Sequence, residues 1–186
     1  MRQEKIILHD TAGFEAMRKA GALAAEVLDM ITDHVTEGIT TGELDQICHD
    51  YILDHGATPA PLNYKGFPKS TCISLNHVVC HGIPGPKRLT TGDILNIDVT
   101  VILDGWYGDS SRMYWVGTPS VKAQNLTRVT YECLMRAIDI VRPGVTLGDI
   151  GHGLAEVVPY RTGAVDGGDA ALRHVFEQRS GKARDH

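Results

Sequence analysis

The sequence has no cysteine pair at the short spacing of a redox or zinc motif, no excess of positive charge and no long apolar run near its start. Its four cysteines are dispersed, which favours a reducing cytoplasmic compartment over a disulfide framework. The net charge of -5 gives no electrostatic basis for binding nucleic acid or an anionic membrane. The chain starts with the polar stretch Met1-Arg2-Gln3-Glu4-Lys5, which leads to no apolar run long enough for a signal peptide or a membrane span. We therefore expect a soluble intracellular protein.

What is present is an ordinary globular composition, with 42% hydrophobic and 22% charged residues among 186, enough for one core. The helical spacing of apolar residues predicts a first helix that begins after Asp10 or Thr11. Capping boxes from Thr40 to Glu43 and from Thr146 to Asp149 predict the second and the fourth helix, and a third helix is expected at 121–141. Strands are predicted between the second and third helices, at residues 72–75, 78–80, 94–102 and 113–116.

The dipeptide Asp104-Gly105 is a strong hairpin signal, because it favours a two-residue type I′ turn. In that register Asp98 lies opposite Ser111, and Asp109 lies opposite Thr100. Residues two apart share a face of the sheet, so the two carboxylates point the same way, roughly 7–8 Å apart at the backbone. This pair suits two metal ions about 3.5–4 Å apart, since unpaired charges on an apolar, buried face are costly. A solvated hairpin face with ordinary surface aspartates is the alternative.

A stretch of the chain occurs twice: residues 35–44 resemble residues 141–150, 106 positions later. Each copy joins a long helix to a capped shorter one, which indicates an internal repeat. Counterparts of residues 58–116, which hold the strands and both aspartates, would lie near 164–222, and the sequence has 186 residues. We therefore expect one domain at 1–156, made of the first repeat and the helices of a truncated second repeat. A non-matching, poorly ordered tail is expected at 157–186.

Several motifs resemble the type I methionine aminopeptidases, in the order in which that family has them. They are Thr41-Gly42-Glu43-Leu44, the segment 68–84 with Cys80-His81-Gly82-Ile83-Pro84, and the segments 92–100 and 108–111. The resemblance implies an α/β (α+β) class, as the N-terminal half of the pseudo-symmetric pita-bread (creatinase/aminopeptidase) fold, with a mostly antiparallel sheet and flanking helices. It also implies removal of the initiator methionine from nascent proteins and peptides, by metal-hydroxide attack on the first peptide bond.

The same resemblance implies roles for six residues. These are Asp98 and Asp109 as metal ligands, His81 as the catalytic residue that contacts the substrate, and Tyr64, Phe67 and Cys72 as further substrate-binding residues around the methionine side chain. The implied cofactors are two divalent metal ions of cobalt, manganese, iron or zinc type. Three further family ligands, one histidine and two glutamates, are not identifiable in the sequence, since Gly151-His152-Gly153 aligns better with the fourth helix.

The implied partner is a peptide or nascent protein that starts with methionine, together with the ribosome by family resemblance. Two alternatives stay open. One is a truncated, catalytically inactive fragment, because two carboxylates alone bind two divalent ions weakly. The other is a prolidase-like dipeptidase of the same fold, which the stretch Cys80-His81-Gly82-Ile83-Pro84 disfavours. Pro61 and Lys65 stand where many relatives carry cysteine and histidine, and both are expected to retune the pocket.

Overall fold

The computed structural model describes residues 7–155, which fall into two compact units divided between Pro119 and Ser120. The first unit holds two α-helices and four strands, and the second holds two α-helices within the described residues. Two short 3₁₀ helices lie at Ile31–His34 and Tyr64–Gly66. The elements are α1 (Thr11–Met30), α2 (Thr41–Asp54), β1 (Thr58–Pro59), β2 (Cys72–Leu75), β3 (Ile94–Leu103), β4 (Trp106–Trp115), α3 (Val121–Ile140) and α4 (Leu147–Ala155). No helix within the described residues is long and apolar enough to span a membrane.

The central strand of the sheet is β3, which pairs with β4 along its whole length. Its other edge pairs with β2 near its start and with β1 near its end. All of these described pairings are antiparallel, as predicted. The mixture of helices and an antiparallel sheet agrees with the predicted α/β (α+β) class.

The hairpin of β3 and β4 has the register that the sequence predicts. Asp104 and Gly105 both have positive φ, 50° and 81°, as a type I′ turn requires. Asp98 pairs with Ser111, and Thr100 pairs with Asp109. Asp98 and Asp109 therefore belong to the same face of the sheet.

The two faces of β3 differ in burial, and this difference determines where the aspartates lie. One face carries four buried side chains that join the core with residues of α1 and α2: Leu95, Ile97, Val99 and Val101. The other face carries Asn96, Asp98, Thr100 and Ile102, all of them half-buried. The carboxylate face is thus turned away from the core, and it is less buried than the sequence predicts.

The predicted strand at 78–80 is wrong, because the chain turns back immediately after β2. Asn76 has a φ of 51°, and its side chain donates to Asp93 Oδ1 at 2.8 Å and accepts from the Ile94 N–H at 3.1 Å. The Val78 N–H then donates to the Leu75 carbonyl at 3.1 Å. Val78 is exposed, so its apolar character indicates neither a strand nor the core.

The internal repeat is reproduced in the local geometry of its two copies. Gly38 and Gly144, 106 positions apart, both have a φ of 91°. The Glu43 N–H donates to Thr40 Oγ1 at 3.1 Å, and a Glu43 carboxylate oxygen accepts from the Thr40 N–H at 2.8 Å. Thr146 and Asp149 make the same pair of hydrogen bonds, at 3.3 and 2.8 Å. Both capping boxes predicted from the sequence are therefore confirmed.

Replacing Thr40 by alanine is expected to lower the free energy of unfolding by about 0.5–2 kcal/mol, the usual effect of losing an N-cap side chain. Thr40→Ser keeps the hydroxyl, so it should restore most of the loss in urea denaturation. Hydrogen bonds from Thr40 lower the pKa of Glu43. The stabilisation is thus present above the ordinary glutamate pKa and is lost as the pH falls through the lowered value. An unchanged urea midpoint for Thr40→Ala would contradict this account of the helix start.

Candidate active site

A cleft of about 850 Å³ lies beside the carboxylate face of the sheet in the first unit. Its lining comes from the loop between β1 and β2, the start of β2, the loop after β2 and the hairpin of β3 and β4. The lining includes all six residues that the sequence singles out: Tyr64, Phe67, Cys72, His81, Asp98 and Asp109. Residues that are 45 positions apart in the sequence therefore meet in one cavity.

The two aspartates differ in environment, since Asp98 is half-buried and Asp109 is exposed. Burial, and then the charge of Asp109, raises the pKa of Asp98, while the charge of His81 opposes this rise. Asp109 Oδ1 accepts a hydrogen bond from Thr100 Oγ1 at 3.1 Å. Within residues 7–155, the side chain of Asp98 has no hydrogen bond or ion pair. Two adjacent carboxylates that form no ion pair with a described residue are an attractive location for a positive ion.

The donor set fits part of a site for a divalent cation. Carboxylate oxygens are hard donors of the kind that manganese and similar ions accept. Among the described residues, no group of three or more histidine, cysteine, aspartate or glutamate side chains is arranged to hold a metal. If a cation binds here, residues 7–155 would supply two carboxylates and other donors would fill the remaining positions.

His81 lies in the loop after β2, with a left-handed φ of 53°. The residue after it fixes this loop to β2, because the Ile73 N–H donates to the Gly82 carbonyl at 2.9 Å and the Gly82 N–H donates to Ser74 Oγ at 3.1 Å. A Cβ atom at Gly82 would overlap the Ile73 carbonyl oxygen. Glycine at this position therefore lets the loop lie against β2 and present the exposed imidazole of His81 to the cleft.

The apolar wall of the cleft consists of Tyr64, Phe67 and Cys72. Tyr64 is exposed, Phe67 is half-buried and Cys72 is buried. Burial, and then the charge of Asp98, raises the pKa of the Cys72 thiol to about 11. The thiol is therefore neutral at physiological pH, and it adds a polarisable, uncharged surface to a cleft that two aromatic residues also line.

Six further residues line the cleft without a role assigned from the sequence: Ala60, Gly66, Pro68, Ile83, Thr100 and Tyr107. Period-two alternation could have indicated Tyr107, because it lies two residues before Asp109 and opposite Ile102. Thr100 was expected opposite Asp109, but its hydrogen bond to that carboxylate was not. Ile83 belongs to the motif Cys80-His81-Gly82-Ile83-Pro84, but the sequence assigned its side chain no role in the cleft. Pro61 and Lys65, where the sequence departs from the family pattern, also line the cleft.

A family model and a curated protein both match this sequence over most of its length. The family model described as metallopeptidase family M24 matches residues 15–178. The methionine aminopeptidase of Rickettsia prowazekii (strain Madrid E) is 60% identical over 149 residues, which are 80% of this chain and 58% of that protein. The chain thus spans little more than half the length of that curated relative. The predicted boundary between 156 and 157 lies at the edge of the described residues and stays a prediction.

Solved structures agree with the sequence matches. The crystal structure of methionine aminopeptidase from Rickettsia prowazekii has a TM-score of 0.81 and 59% identity, covering 82% of this chain and 62% of that one. Prolidase from Pyrococcus furiosus has a TM-score of 0.70 at 22% identity, a likeness of fold alone. These neighbours confirm the predicted pita-bread fold. With a family match over most of its sequence, the chain belongs to metallopeptidase family M24.

Proposed function

We propose that this chain takes part in the metal-dependent removal of an N-terminal methionine from peptides and nascent proteins. The observation that carries the proposal is the convergence of two carboxylates, one imidazole and the apolar wall on a single cleft. The identity to a methionine aminopeptidase over 80% of the chain supports it. Association with the ribosome stays a prediction from the family resemblance.

Membership of a metallopeptidase family implies divalent metal cofactors. We propose two ions of cobalt, manganese, iron or zinc type, with Asp98 and Asp109 among the residues that hold them. When bound, ions of this kind activate water for attack on a peptide bond at neutral pH. The half-buried position of Asp98 keeps one of these carboxylates partly out of solvent, where its attraction for a cation is less screened.

His81 would contact the first peptide bond of the substrate. A neutral imidazole has one donor and one acceptor nitrogen, so it can donate to the carbonyl oxygen as negative charge develops there. The fixed loop position of His81, held by the hydrogen bonds of Gly82, supports this role because a contact of this kind requires a defined geometry.

The apolar wall would receive the methionine side chain. An unbranched thioether is apolar and polarisable, and it packs well against aromatic rings and sulfur. The neutral thiol of Cys72 suits this environment better than a thiolate would, because a charged group would hold water in the pocket.

A second candidate is a chain that binds methionyl peptides but hydrolyses them slowly or not at all. The absence of a group of three metal-binding side chains among residues 7–155 favours it. A prolidase-like activity is a weaker alternative, because the likeness to a prolidase concerns the fold alone.

Three measurements on the 186-residue chain with added manganese separate these functions: methionine release from a Met-Ala-Ser peptide, hydrolysis of a Met-Pro dipeptide, and peptide binding. The proposal expects methionine release from the tripeptide, slower than that by the methionine aminopeptidase of Rickettsia prowazekii, and no cleavage of Met-Pro. Binding without release would favour the second candidate. Cleavage of Met-Pro alone, or neither binding nor release, would contradict the proposal.

A further inference from the structure

A buried carboxylate outside the cleft holds the segment that leads into the apolar wall. Asp45 of α2 is only 5% exposed. Its Oδ1 atom accepts three hydrogen bonds, from the N–H groups of Ser70 and Thr71 at 3.0 and 2.8 Å and from Thr71 Oγ1 at 2.9 Å. Its Oδ2 atom lies 3.8 Å from Lys69 Nζ. One side chain of α2 therefore binds three consecutive residues of the loop.

A second side chain of α2 binds the same loop. His49 lies four residues after Asp45, on the same side of the helix. Its Nδ1 atom is 2.7 Å from Ser70 Oγ, and Ser70 itself is buried. Contacts to both Asp45 and His49 leave Ser70 little freedom to move relative to α2.

The held residues, 69–71, lie between parts of the cleft lining. Phe67 and Pro68 precede them, and Cys72 follows them. Cys72 also pairs with Asp98 across the sheet. At roughly 3.3 Å per residue of extended chain, a shift of Ser70 or Thr71 would move Phe67, Cys72 or both. The contacts of Asp45 therefore hold the short backbone segment between Phe67 and Cys72.

We infer that Asp45 is a positioning residue, which sets the spacing of the apolar wall for the methionine side chain without touching the substrate. This inference rests on the proposed function, since it concerns the pocket that the proposal assigns to methionine. A carboxylate is suited to this role because a charged acceptor binds several backbone N–H groups more strongly than a neutral one. Without it, buried donors of Ser70 and Thr71 would lose their partner, and the loop would shift to find another.

The test compares the affinities of Met-Ala-Ser and Ala-Ala-Ser for the metal-free chain, where no turnover interferes, by NMR titration. The dissociation constant of Ala-Ala-Ser divided by that of Met-Ala-Ser measures the preference for the methionine side chain. In Asp45→Ala this ratio is expected to fall by about tenfold, the discrimination that one misplaced methylene contact carries. Asp45→Asn keeps an acceptor oxygen, so it should recover part of the ratio. If Asp45→Ala does not fold, Asp45→Asn and Thr71→Val, which removes only the hydroxyl donor, carry the test with a smaller fall.

Two controls separate positioning from general stability. Thr40→Ala destabilises the start of α2 but leaves the contacts of Asp45 intact, so it should lower stability with an unchanged ratio. Asp50→Ala removes an exposed carboxylate of α2 that accepts a hydrogen bond from Gln46. It should change neither the stability nor the ratio. Folded Asp45 variants with the unsubstituted ratio would overturn the inference. An unsubstituted chain without preference for Met-Ala-Ser would instead overturn the proposed function and this inference with it.

Discussion

Asp98→Asn is expected to weaken manganese binding by more than about 100-fold, because the loss of even an outer-shell partner of a ligand costs about 10–100-fold. Asparagine has nearly the same shape as aspartate, so the fold should be unaffected. The substitution removes one of two negative charges from a pair that has no ion-pair partner among residues 7–155. Isothermal titration with manganese at constant pH measures the effect.

Asp104→Asn is the matched control for this substitution. Asp104 belongs to the same hairpin and has a φ of 50°, which asparagine tolerates well, and it lies in the turn rather than in the cleft. Its manganese affinity should equal that of the unsubstituted chain. Equal affinities for Asp98→Asn and Asp104→Asn would mean that the carboxylate pair is not the metal site.

Gly108→Ala is expected to lower the free energy of unfolding by about 3 kcal/mol, the upper end of the usual cost of overpacking. Gly108 lies in β4 where the strand packs on α1. A Cβ atom there would overlap the Ala20 carbonyl oxygen and lie 2.7 Å from the Gly21 nitrogen. Both are backbone atoms that cannot rotate away, so α1 and the hairpin would have to separate. Urea denaturation measures the loss as a lower midpoint at a similar slope.

Gly21→Ala provides the comparison, because this glycine lies in the interior of α1 and a Cβ atom there would meet nothing within 4 Å. Alanine is favoured over glycine in a helix, so the variant should be more stable by up to about 1 kcal/mol. The two substitutions add the same methyl group on neighbouring elements with opposite expected signs. If Gly108→Ala unfolded at the midpoint of the unsubstituted chain, the packing of α1 on β4 would have to differ from the structure described.

Local signals explain which parts of the fold the sequence predicts. The dipeptide Asp104-Gly105 specifies both the turn and the register, so the shared face of Asp98 and Asp109 could be predicted. The capping boxes at Thr40 and Thr146 specify their helix starts in the same way. Val78 and Val79 led to the wrong prediction of a strand, because a high β propensity means only that a side chain fits a half-buried sheet surface. Here the side chain of Asn76 ends β2 before they can pair.

Long-range contacts explain most of what the sequence did not predict. Asp45 and Thr71 are 26 residues apart, and their hydrogen bond leaves no local pattern in either segment. Ile83 joins the cleft only through the folded loop that Gly82 attaches to β2. The half-exposed state of the carboxylate face also escaped prediction, because apolar residues on both sides of Asp98 indicated burial. In the structure those residues point to the opposite face, where α1 and α2 cover them.

We propose that Asp98 and Asp109 are two of the ligands of a metal site in the cleft, and paramagnetic broadening by manganese tests this proposal most directly. Small additions of the ion to the ¹⁵N-labelled chain should broaden first the amide signals of Cys72, Thr100 and Asp109. The same additions should leave those signals sharp in Asp98→Asn. Broadening that centres on exposed acidic residues such as Asp50 of α2, or that is unchanged in Asp98→Asn, would contradict the claim.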